Sequence, residues 1–74
     1  MKKYLNKSRN SGVARYQTGS TYIDIEFIDG STYRYSYNKP GKEHVELMKK
    51  LAAAGAGLST YINKHVRDNY DEQI

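Results

Sequence analysis

The chain has 74 residues, no cysteine, no tryptophan, eight tyrosines and a formal net charge of +4. That length predicts a single small domain of marginal stability, and the lack of cysteine excludes disulfides and thiolate metal sites. Oligomerisation is the remaining stabilising device, so a homo-oligomer is one expectation. His44 and His65 lie too far apart in sequence to suggest a zinc site, and neither metal nor cofactor is expected.

Residues 1–11 are polar and basic and close on Ser11-Gly12. All of the excess charge sits here, on Lys2, Lys3, Lys7 and Arg9, while the charges of residues 11–74 cancel. The segment reads as a disordered basic arm able to hold polyanions non-specifically, with a solvated tail as the plain alternative. It has the charge of a secretory leader but no apolar stretch behind it. The longest apolar run, Leu51–Ala54, is far too short to span a bilayer. A cytoplasmic protein without a membrane partner is therefore expected.

The folded domain is expected over residues 12–70. "VARYQ" at 13–17 reads as a short strand and Thr18-Gly19 as a turn. Residues 20–28 alternate, with Ile23, Ile25 and Phe27 on one face and Asp24 and Glu26 on the other. Residues 31–37 alternate again, with Tyr33, Tyr35 and Tyr37 opposed to Thr32, Arg34 and Ser36. The Asp29-Gly30 pair between them fixes the register. A two-residue turn would place the isoleucines on the face of Thr32, Arg34 and Ser36, because a one-residue slip exchanges the two faces. A three-residue loop with Gly30 left-handed pairs Phe27 with Ser31, Ile25 with Tyr33, Ile23 with Tyr35 and Asp24 with Arg34. That register is the expected one.

Asn38-Lys39-Pro40-Gly41 breaks the strand and starts a helix over 42–54. Val45, Met48, Leu51 and Ala52 form its apolar stripe, and Glu46 and Lys50 an i,i+4 pair. Gly55-Ala56-Gly57 ends it. Leu58, Tyr61, Ile62, His65, Val66 and Asn69 then follow the spacing of a second amphipathic helix over 58–69. Residues 71–74 are expected to fray. The result is an α+β fold: a three-stranded antiparallel meander followed by two helices on its apolar face, β-β-β-α-α.

Catalysis finds little support, and a non-enzymatic protein is expected. There is no cysteine nucleophile and no Ser-His-acid set on adjacent elements. His65 falls on an apolar stripe and reads as a core histidine, and His44 as a partly exposed polar residue. Asp24 and Glu26 read as a solvated face. "GAGLST" at 55–60 lacks the lysine of a P-loop, although the N–H groups opening the second helix could take a phosphate.

The aromatic content is the stronger signal. Rings with cations suit stacking on unpaired bases. Asn63, Arg67 and Tyr70 recur at i, i+4 and i+7 and share one helix ridge. They form a base-and-phosphate contact surface, unless Arg67 instead stacks on Tyr70 or pairs with a carboxylate to hold the C-terminus.

Two features together resemble the KTSC domain, found at the C-terminus of some lysyl-tRNA synthetases and as stand-alone bacterial and phage proteins. One is the central Y-x-Y, Tyr33-Arg34-Tyr35, after an apolar strand and Gly30. The other is the helix carrying Tyr61-Ile62-Asn63, Val66-Arg67 and Tyr70. The resemblance covers about residues 11–70. The chain departs from it at Lys39 before the proline, at Gly57-Leu58-Ser59, and in its basic arm. The family's activity is not established; its company with a tRNA synthetase implies RNA binding.

Three functions follow. The first is an RNA-binding module using Tyr33, Tyr35, Asn63, Arg67 and Tyr70, with the arm adding salt-sensitive affinity. The second is an oligomer that buries or sequesters a small signalling nucleotide. The third is a protein-interaction module offering the free edge of the Tyr33–Tyr37 strand.

Overall fold

The computed structural model describes residues 1–7 and 11–74. The expected meander forms its centre: β2 (Val13–Thr18), β3 (Tyr22–Phe27) and β4 (Thr32–Ser36). Two short edge strands widen the sheet to five, β1 (Lys2–Lys3) beside β2 and β5 (Glu72–Gln73) beside β4. The strands lie in chain order, β1-β2-β3-β4-β5, and every pair is antiparallel. Helix α1 (Lys42–Ala54) and the short α2 (Leu58–Tyr61) follow β4, and α2 continues directly into a π-helical turn, Ile62–Val66.

The β3–β4 register is the one the alternation requires. Ile23 faces Tyr35, Asp24 faces Arg34 and Ile25 faces Tyr33. Phe27 and Ser31 close the hairpin through Phe27 N–H to Ser31 O, 2.8 Å, and Gly30 N–H returns to Phe27 O at 2.9 Å. Gly30 has φ +92°, a conformation that side chains disfavour and glycine adopts freely.

The sheet buries Tyr4, Val13, Ile23, Ile25 and Tyr35 against Val45, Met48 and Ala52 of α1 and Leu58, Ile62 and Val66 of the last helical segment. Leu51 completes the α1 stripe at the core margin. Gly55, at φ +75°, caps α1 by donating its N–H to the Leu51 and Ala52 carbonyls.

Several expectations are corrected. Residues 1–7 are not a free arm: Lys2 pairs with Tyr16, Lys3 with Arg15, and Lys7 N–H donates to Gly55 O. Tyr4 is the anchor. It is 2% exposed, and its hydroxyl accepts the buried Leu58 N–H at 3.3 Å. Arg9, the fourth cation of the expected arm, lies outside the described residues. Residues 71–74 do not fray, because Asp71 N–H donates to Arg34 O and Ile74 N–H to Thr32 O. The Ser36 hydroxyl also donates to Asp71 Oδ2 at 2.7 Å.

The second helix buries a narrower stripe than an α-helical pattern implies. Leu58, Ile62 and Val66, each four residues apart, are buried, while His65 and Asn69 are exposed. The π turn forms i→i+5 hydrogen bonds, so the straight α-helical stripe does not continue through it. Glu46 bonds Lys49 at 2.9 Å and accepts a hydrogen bond from the Tyr37 hydroxyl at 2.7 Å, rather than pairing with Lys50. On the far face Asp24 is not solvated: it is 2% exposed beneath Arg34, which bonds both its oxygens at 2.7 and 3.0 Å. Arg34 also lies 4.1 Å over the Tyr22 ring. The Asp24 hydrogen bond raises the guanidinium pKa further above its ordinary value.

Candidate nucleotide-binding cavity

The hairpin end of β3–β4 and the π turn enclose a cavity of about 340 Å³. Tyr33, Tyr35, Asn63, Arg67 and Tyr70 all line it. Two segments thirty residues apart are thus brought together by the fold, and every residue singled out for base contact faces one concavity. Phe27, Asp29, Ser31, Ile62 and Asp68 complete the wall.

The tyrosines serve core and cavity at once. Tyr35 points under the helices from β4 and is 1% exposed. No buried side-chain polar atom lacks a partner among the described residues, and the Tyr35 hydroxyl bonds to none of them. Its small accessible area therefore includes the phenolic oxygen at the cavity wall. Burial, then the neighbouring Tyr33, Tyr70 and Asp68, push its pKa up to about 12. Tyr33 stands half-buried with its ring 4.6 Å from that of Tyr70. Phe27 meets Tyr33 edge-on at 6.0 Å, and Tyr70 meets Tyr35 edge-on at 6.4 Å. The four rings form a continuous aromatic wall of the kind that offers both packing and a stacking face.

The polar side is held differently. Asn63 and Arg67 are exposed on the π turn and its end, and the side chain of neither makes a hydrogen bond or ion pair to another described residue. Arg67 therefore does not tie the C-terminus down; Asp71 and β5 do that. π turns recur at functional sites because they displace side chains from the regular helical ridge, and this one carries Asn63 at its second position. Asp68 joins the wall although nothing in its spacing marks it in the sequence. In the sequence Asp29 reads only as a turn residue. Its Oδ1 accepts the Ser31 N–H at 2.9 Å and hydroxyl at 2.6 Å, which lowers its pKa. One cation thus faces two carboxylates across the wall.

Other expected contacts lie elsewhere. Lys2, Lys3 and Lys7 do not line this cavity. At the start of α2 the first N–H, that of the buried Leu58, is taken by the Tyr4 hydroxyl and is not available to a phosphate. His65 is exposed and stacks on Tyr61, ring centroids 4.7 Å apart, rather than sitting in the core. Tyr61 is also hydrogen-bonded to His44 Nδ1. The edge of the Tyr33–Tyr37 strand is partly occupied, since β5 pairs with Tyr33 and Arg34. Among the described residues no group of three side chains could hold a metal, and no helix is long and apolar enough to cross a membrane.

No family model, curated protein or solved structure matches this chain.

Proposed function

We propose that this chain is a KTSC-type, non-enzymatic cytoplasmic module that holds one unstacked base of an RNA strand in the cavity between β4 and the π turn. The observation that carries the reading is the convergence of Tyr33, Tyr35, Tyr70, Asn63 and Arg67 on one concavity, with the side chains of the last two free of partners among the described residues. Single-stranded RNA is recognised by splaying bases onto aromatic or guanidinium planes and bonding their edges. Here the Tyr33–Tyr70 wall supplies the stacking face, Asn63 a donor and an acceptor for the base edge, and Arg67 a charge for the adjoining phosphate. The volume is at the small end of ligand sites, which run about 300–1,000 Å³. It suits one base rather than a strand.

The test is fluorescence anisotropy with a labelled single-stranded RNA at near-physiological salt. Binding that falls about tenfold or more in Arg67→Ala and Asn63→Ala, with thermal stability retained, supports the reading. Binding unchanged in both variants overturns it.

A second reading has its own support. Among the described residues Arg67 is the sole cation on a wall with two carboxylates, and a compact ligand needs few cations. A free nucleotide, sequestered by the same wall in an oligomer, would show tight stoichiometric uptake in calorimetry where RNA does not.

A further inference from the structure

A second cavity, larger at about 500 Å³, opens at the other edge of the sheet. Its wall comprises Met1 and Lys2 from the β1 end, Tyr16, Gln17 and Thr18 of β2, and Lys49 and Ala53 of α1. It shares no residue with the tyrosine cavity. Antiparallel pairing of Lys2 with Tyr16 places the Lys2 side chain here, so the lysine expected in a free arm becomes part of a built wall.

We propose that this cavity binds a small organic anion, with its oxyanion head between Lys2 and Lys49 and its apolar body against Tyr16 and Ala53. Charge comes first. Two lysines and no acidic side chain line the space among the described residues. Lys49 is pre-positioned: its Nζ lies 2.9 Å from Glu46 Oε2 and 3.3 Å from the Ser20 carbonyl. An ammonium has three donors, so one N–H remains for a ligand. The Lys2 ammonium bonds to no other described residue and keeps all three. Gln17 and Thr18 add neutral hydrogen-bonding groups. The apolar part is supplied by the Tyr16 ring, which packs against the core from its half-buried position, and by Ala53 and Met1. Inorganic phosphate would satisfy the lysines and leave that surface wet, whereas an anion with an attached ring covers both.

The probe is phenyl phosphate, titrated into the full chain and followed by amide NMR, with inorganic phosphate and benzyl alcohol in parallel. Saturable shifts at Tyr16–Thr18 and Lys49–Ala53 are expected with phenyl phosphate. Affinity for either half-probe is expected to be about tenfold weaker, the loss that follows from removing one charge-assisted contact or its apolar complement. Lys2→Gln is exposed and leaves the fold intact; it and Lys49→Gln each weaken phenyl phosphate by about tenfold, while Lys64→Gln does not. Absence of saturable shifts at these amides overturns the proposal. So does equal affinity in the Lys2 and Lys49 variants, or shifts spread evenly over surface lysines.

Discussion

Replacing Tyr4 by alanine tests whether the first seven residues belong to the fold. The ring is buried in the same cluster as Ile25 and Leu58, and its hydroxyl is the acceptor for the buried Leu58 N–H. Truncating a buried aromatic residue costs about 3–5 kcal/mol. A domain of 74 residues has a total stability of about 4–11 kcal/mol at ordinary per-residue values. Its unfolding entropy near 60 °C is about 0.16 kcal/mol/K, so a loss of about 4 kcal/mol lowers Tm by about 25 °C. Tyr4→Phe keeps the ring and orphans one N–H, at a cost of about 1–3 kcal/mol. Leu5→Ala, at an exposed neighbouring position, changes stability by less than about 0.5 kcal/mol. Circular dichroism melts of the three variants decide the matter. A Tyr4→Ala protein that melts within a few degrees of the parent would refute the docking of this segment, and the basic arm would then be a free tail.

Tyr35 carries a pH prediction. Its folded pKa, about 12, lies above the ordinary phenol value, so the folded state holds its proton more tightly. The associated stability is fully present below about pH 10 and is lost between about pH 10 and 12, by about 2–3 kcal/mol. Tyr35→Phe should show a shallower alkaline fall in urea-denaturation experiments; an identical slope would contradict the assignment. Gly30→Ala meets no neighbour but must adopt positive φ, so it should cost about 1–2 kcal/mol in the same experiment. Gly55→Ala should cost more, because its Cβ would also lie 2.5 Å from that of Leu5. Arg34→Met should lower Tm more than Arg15→Met, since the first leaves the buried Asp24 carboxylate unpaired and the second frees the more exposed Glu26.

The sequence made the central hairpin legible because two independent constraints agreed there. Alternating isoleucines and tyrosines demanded a common face, and Asp29-Gly30 supplied the only loop that gave it. The edge strands carried no such signal. Lys2-Lys3 and Glu72-Gln73 are two-residue polar segments, and their pairing is fixed by anchors distant in sequence: Tyr4 beneath Leu58, and Asp71 on Ser36. A lone aromatic in a basic segment gives no periodicity from which its burial could be read. The ridge of Asn63, Arg67 and Tyr70 was legible from its spacing, and the strand tyrosines from theirs. That the two meet around one cavity depends on how the last helix crosses the sheet. The π turn that shapes the meeting leaves no mark in a short segment, which is also why His65 was misplaced on the buried stripe. Asp68 joins the wall for the same tertiary reason. The exposed surface assigned to Asp24 failed differently: alternation gave its face correctly, but not that Arg34 would cover it.

The most direct test of the base-binding account is an amide-resolved NMR titration of the labelled protein with a mixed-sequence RNA at near-physiological salt. The account predicts shifts at Tyr33–Tyr35 and Asn63–Tyr70 that vanish in Arg67→Ala. Shifts confined to residues 1–7, or none at all, would contradict it.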